Sequence, residues 1–134
     1  RLLYVGFGET DDWSHDARYD MYIDSANRTD RYIKSLWETA QSIPEYAGKT
    51  SMVIVTDHGR GDEHPGWKSH GESIEGSKQI WFAVIGPDTP SKGIVKKGDI
   101  VQGQTAATVA ALLGLDYTKA NPKARPPVKE AVSR

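Results

Sequence analysis

The amino-acid sequence predicts an α/β fold, a partly parallel sheet flanked by helices. Three observations predict it. The runs 51–56 (SMVIVT) and 79–85 (QIWFAVI) are apolar with little alternation, the pattern of strands covered on both faces. A long stretch of helical periodicity lies between the first of these and an earlier apolar run at 2–7. A second, shorter helical pattern follows the last strand, so strands and helices alternate along the chain.

Residues 2–7 (LLYVGF) read as a short strand closed by Gly8. The polar stretch ETDDWSH after it reads as a loop. From Asp16 to Gln41, the residues Tyr19, Tyr22, Ala26, Ile33, Trp37 and Ala40 recur at spacings of three, four or seven. Arg18, Asp20, Asp24, Arg28, Lys34 and Glu38 fill much of the opposite face, which makes this an amphipathic helix. Pro44 stands just past its end as a stop. The strand at 51–56 is bounded by Lys49-Thr50 and Asp57. Residues 59–78 form a long loop of Gly, His, Ser and charge, of the kind that is either functional or disordered. The strand at 79–85 closes at Gly86-Pro87. Residues 88–103 hold two glycine-containing turns, with room for a short hairpin. Residues 104–113 (QTAATVAALL) predict a short apolar helix ended by Gly114 at its C′ position. The proline-containing segment 119–134 reads as an extended tail on the surface.

At 134 residues the chain is one domain, 1–134, with no interdomain linker and no internal repeat. It opens on Arg1 and passes at once into an apolar run, so a truncation at the N-terminus is expected. Lys and Arg number 17 against 18 Asp and Glu, for a net charge of -1. That excludes a nucleic-acid partner recognised through bulk charge, and an acidic tail protein. No apolar run approaches the roughly 20 residues of a membrane helix, so no membrane partner is expected. The absence of cysteine excludes a disulfide framework, a thiolate metal site and a cysteine nucleophile.

Three features carry chemistry, and each lies just beyond the end of a predicted strand, where open α/β sheets bind ligands. The first is Asp11-Asp12-Trp13-Ser14-His15, a carboxylate four residues before an imidazole. The second is Thr56-Asp57-His58-Gly59. The third is His70-Gly71, with His64 upstream. Each alone has an ordinary structural reading: a helix N-cap cluster, a polar turn, a solvated loop histidine. Together they place three of the chain's four histidines in strand-end loops beside Asp or Gly. Carboxylate oxygen with imidazole nitrogen suits zinc or manganese better than calcium, which takes oxygen alone. One Asp with two His makes an open metal site with a position left for water or substrate. An adjacent Asp-His pair is half of a second site, and two ions about 3.5–4 Å apart clamp the attacking and leaving oxygens of a phosphoryl group. Arg60, Lys68 and Glu72 flank the motifs as candidates for holding substrate oxygens or supporting the ligands, against the alternative of solvated loop charge. Trp13 and Trp67 are candidates for the walls of the site, or for ordinary packing.

Asp11-x-x-x-His15, then Val55-Thr56-Asp57-His58-Gly59, then His70-Gly71, then the strand ending Val84-Ile85-Gly86-Pro87, resembles the C-terminal half of the alkaline phosphatase superfamily. That clan holds alkaline phosphatases, nucleotide pyrophosphatase/phosphodiesterases, cofactor-independent phosphoglycerate mutases and sulfatases. The segment Gln104–Gly114 is similar to the helix that often follows in these proteins, and the resemblance runs from about Leu3 to Leu115. It implies two divalent ions, zinc or manganese. Asp11, His15 and His70 would ligate one; Asp57 and His58 would ligate the other. It also implies a Ser or Thr nucleophile and a further Asp that have no counterpart in this chain, so the chain by itself is expected to be inactive. The substrate implied is a phosphorylated small molecule, turned over by a phosphomonoesterase, phosphodiesterase or phosphomutase reaction. Sulfatases often carry Asp-Asn where this chain has Asp57-His58, which favours phosphate over sulfate esters; a sulfatase is the alternative. A non-catalytic α/β binding or assembly module is the alternative from another class. Central strands left open by a missing half imply a partner polypeptide or a homo-oligomer. A periplasmic or extracellular location is slightly favoured over the cytoplasm by the resemblance alone.

Overall fold

A computed structural model describes residues 1–64, 66–96 and 99–133. They fall into two compact units, Arg1–Thr39 with His58–Gln79, and Ala40–Asp57 with Ile80–Arg134.

The first unit begins with helix α1, Glu9–His15, where the sequence pattern predicts a loop. A single two-turn helix with no apolar stripe escapes a reading by periodicity. Its stability comes from charge placement and from its end. Glu9, Asp11 and Asp12 lie in its first turn and His15 in its last, each complementing the helix dipole. The buried Ser14 hydroxyl donates to the Asp11 carbonyl at 2.7 Å. Ala17 ends the helix at φ 59°, with its N–H donating to Ser14 O at 3.0 Å and the Arg18 N–H donating to Trp13 O at 2.9 Å. This is a Schellman cap with alanine in the left-handed position that glycine normally takes.

Helix α2, Tyr19–Ser42, lies close to the 16–41 span the periodicity predicts. Arg28 ties it to α1, donating to Glu9 Oε2 and to Asp24 Oδ2, both at 2.7 Å. Residues 2–7 form no strand, although their composition favours one. A strand exists only as one side of a hydrogen-bonded ladder, and here Leu2, Leu3 and Tyr4 are exposed while Phe7 stacks on Tyr32 at 5.9 Å.

The described residues of the long segment 58–79 include a 3-10 turn, Gly66–Lys68, and the segment is closed on itself by hydrogen bonds. The Gly59 N–H donates to Ser77 O at 2.8 Å, the Gly61 N–H to Ser69 O at 3.2 Å, and the Gly71 N–H to the buried Ser77 Oγ at 3.1 Å. Two glycines make this closure possible. A Cβ on Gly59 would run into the carbonyl oxygens of Gly76 and Gln79. A Cβ on Gly76, which has φ +89°, would run into the Arg60 carbonyl oxygen.

In the second unit β1, Met52–Val55, pairs with β2, Phe82–Ile85. The pairing is antiparallel, Met52 opposite Ile85 and Val55 opposite Phe82, so the parallel ladder expected from the sequence is not formed between these strands. Among the described residues they form the single sheet, of two strands. Two strands alone do not cover both faces: Phe82 and Val84 are half-buried while Ala83 and Ile85 are exposed. Helix α3, Thr105–Leu112, follows a 3-10 turn at Gln102–Gln104. Its cap is as predicted. Gly114 has φ 77°, its N–H donates to Ala111 O at 2.9 Å, and the Leu115 N–H donates to Ala110 O at 2.9 Å.

The segment 119–134 is more built than an extended tail. It includes the end of helix α4, Tyr117–Ala120, and a 3-10 turn at Lys129–Ala131. Val128 and Ala131 are among the most buried apolar residues of the chain. The Val128 N–H donates to Thr108 Oγ1 at 3.0 Å, and that hydroxyl donates to Gln104 O at 2.8 Å. The expected turns at 88–103 include Lys97 and Gly98, which lie outside the described residues; no strand occurs in the rest of that stretch. Among the described residues no helix is long and apolar enough to cross a membrane.

Candidate metal centre

The site belongs to the first unit. Asp11 sits near the start of α1, and the i, i+4 spacing on that helix sets His15 over the same face. The Gly59–Ser77 closure brings His58, at one end of the long loop, beside His70 in its middle. The result is a group in which one donor atom each from Asp11, His58 and His70 lies within 4.8 Å of the others. Asp11 Oδ1 is 3.7 Å from His58 Nε2 and 3.6 Å from His70 Nε2. Tetrahedral ligands at zinc-bond lengths stand about 3.3–3.5 Å apart, so Asp11 Oδ1 is within a few tenths of an ångström of that spacing from each histidine nitrogen. The two imidazoles stack at 3.8 Å with 19° between their planes. His15 stands next to them, its ring 5.1 Å from that of His70 and its Nε2 3.4 Å from Asp11 Oδ2.

The tautomer suits ligation. His58 Nδ1 lies 2.9 Å from the Gly59 carbonyl oxygen, which accepts only, so in the neutral ring the proton belongs on Nδ1 and the lone pair on Nε2. The donor set of one carboxylate oxygen and two imidazole nitrogens therefore fits zinc or manganese.

Arg60, a candidate for holding substrate oxygens, is set on a ligand instead. Its Nη2 contacts Asp11 Oδ1 directly, the same oxygen that both histidines approach. Its Nη1 donates to Trp67 O at 3.4 Å. The side chain is 13% exposed. Burial pulls its pKa below the ordinary value, though a guanidinium remains the cation at neutral pH.

The sequence reading groups Asp11 with His15 and His70 and sets His58 aside with Asp57. The structure brings His58 to Asp11 and His70, and leaves His15 alongside on the other carboxylate oxygen. Asp57 falls in the second unit, where its carbonyl accepts from Gln102 Nε2 at 2.8 Å. Lys68 is half-buried at the end of the 3-10 turn; His64 and Glu72 are exposed and outside the three-donor group. Trp67 packs on Tyr19 and Tyr22, at 5.2 and 6.0 Å between ring centres. Of the candidate neighbours, Arg60 is the one brought onto a ligand. The glycines that shape the loop were visible in the sequence only as loop composition; their role needs the pairing of 59 with 76.

No family model matches the chain, and no solved structure matches it. Among known proteins the chain is similar to GPI ethanolamine phosphate transferase 1 of Emericella nidulans. The two are 28% identical over 119 residues, covering 72% of this chain and 12% of that protein. The likeness is a distant one, to a small part of a phosphate-transferring enzyme.

Proposed function

We propose that this chain supplies the metal-ligating part of an alkaline-phosphatase-like enzyme that hydrolyses or transfers phosphate esters. The gathering of one donor atom each from Asp11, His58 and His70 within 4.8 Å carries the reading. The likeness to a phosphate-transferring enzyme supports it. When bound, a divalent ion there polarises a phosphoryl oxygen and lowers the pKa of a coordinated water or hydroxyl. The Asp11 carboxylate contributes the negative charge of the ligand set. His58, held by Gly59 O, and His70, held by the loop closure, contribute neutral nitrogens that bind only when deprotonated. His15 braces the second Asp11 oxygen. A second ion, which this chain alone holds poorly or not at all, and a Ser or Thr nucleophile that it does not supply belong to the same proposal. So does an α/β sheet larger than the two strands described.

Metal content tests it. The chain, dialysed against zinc or manganese and then metal-free buffer, is expected to keep about one ion per molecule. His70→Ala or Asp11→Asn should weaken binding by at least the 10- to 100-fold that loss of a ligand-supporting contact costs. Sub-stoichiometric metal in the folded wild type, or binding that ignores both substitutions, refutes the reading.

A further inference from the structure

We propose that Arg60 is a built-in counter-ion that competes with the metal for Asp11, and so sets the affinity of the site. This rests on the metal reading above and goes beyond it by assigning a residue that weakens binding.

The argument starts from one atom. Asp11 Oδ1 is the oxygen that His58 Nε2 and His70 Nε2 both approach, at 3.7 and 3.6 Å, and it is the oxygen that Arg60 Nη2 contacts. A carboxylate oxygen has two lone pairs. Electron density given to a guanidinium N–H is withdrawn from any ion seated between that oxygen and the imidazoles. Two cations sharing one oxygen also repel, and they do so at short range in a site screened only in part by water.

Arg60 is held where it is. The backbone on either side is fixed by the Gly59 and Gly61 N–H bonds to Ser77 O and Ser69 O. Its second terminal nitrogen reaches Trp67 O, and its side chain is mostly buried. A preset, charge-assisted contact of this kind is among the stronger hydrogen bonds in proteins. Arg18 and Arg28 also bind carboxylates, those of Asp20, Asp24 and Glu9, outside the cluster. An ion entering at Asp11 must therefore loosen the Arg60 contact, and its observed affinity is reduced by what that contact is worth.

The test is a zinc titration of the full chain against a chromophoric chelator, for wild type, Arg60→Ala, Arg60→Gln, Arg60→Lys and His70→Ala. Arg60→Ala and Arg60→Gln are expected to bind zinc about ten- to a hundredfold more tightly than wild type, the range for losing a hydrogen bond to a charged group. Arg60→Lys should fall between, because a lysine keeps the charge and loses the planar fork. Far-UV circular dichroism checks folding, and Arg60→Gln carries the decision if Arg60→Ala does not fold. Unchanged or weaker zinc binding in the folded Arg60 variants overturns the inference. If wild type binds zinc and His70→Ala does not, the metal reading survives that failure. If no variant binds zinc, both fall together.

Discussion

Gly76→Ala should unfold the candidate site from a distance, because Gly76 carries two separate constraints. Its φ is +89°, where an L side chain is strained, and a Cβ would collide with the Arg60 carbonyl oxygen and the Asp62 carboxylate. The first constraint costs about 1–2 kcal/mol. The second cannot be relieved by a side-chain rotation, since the Arg60 oxygen is backbone, and a forced backbone shift costs roughly 1–3 kcal/mol more. The sum is roughly 2–5 kcal/mol, a melting-temperature drop on the order of 10 °C or more for a chain of this size. Two companions separate the contributions. Gly48 has φ +67° with nothing within 4 Å of its virtual Cβ, so Gly48→Ala should show the conformational cost alone. Gly59 has only the collision, with Gly76 O and Gln79 O, so Gly59→Ala should show the packing cost alone. Thermal and urea melts followed by circular dichroism give the three numbers. Because the shift moves His58 and Arg60 relative to His70, Gly76→Ala should also weaken zinc binding, whereas Gly48→Ala should not. The reasoning fails if Gly76→Ala costs no more than Gly48→Ala, within about 0.5 kcal/mol.

Two other expectations concern hydrogen bonds and charge. Thr108→Val keeps shape but leaves the buried Val128 N–H without its acceptor, so it should cost about 1–3 kcal/mol in urea unfolding. Thr105→Val, which removes a buried hydroxyl with no hydrogen-bond partner among the described residues, should be neutral or stabilising; equal losses for the two would contradict this account. Asp20 is held down to about 2, chiefly by its side-chain hydrogen bonds from Arg18 at 2.8 and 3.0 Å. A depressed carboxyl stabilises the fold above its unfolded pKa and loses that contribution as the pH falls through about 2. Titration followed by NMR should show Asp20 below the ordinary carboxyl range, returning to it in Arg18→Gln and shifting less in high salt, because the pair is exposed; an ordinary value in wild type would show that the pair does not form in solution.

What could be read from the residues alone was whatever depends on local order along the chain. The 3.6-residue spacing of Tyr19, Tyr22, Ala26, Ile33 and Trp37 specifies α2, because a helix satisfies its own backbone and needs only one apolar face to dock. Gly114 specifies the end of α3, because only a residue at ease with positive φ closes that cap. The chemical types at 11, 15, 57, 58 and 70 mark candidate metal ligands, because oxygen and imidazole donors are recognisable without coordinates. What only the tertiary structure decided depends on contacts between distant residues. Residues 2–7 have strand composition and form no ladder, since a strand's hydrogen bonds belong to its neighbour. The direction of β1 against β2 was likewise undetermined by two apolar runs that suit either pairing. The grouping of His58 with Asp11 and His70, and the intrusion of Arg60 onto Asp11 Oδ1, follow from a closure in which two glycine backbones approach more nearly than any side chain allows, a distance that no spacing in the sequence encodes.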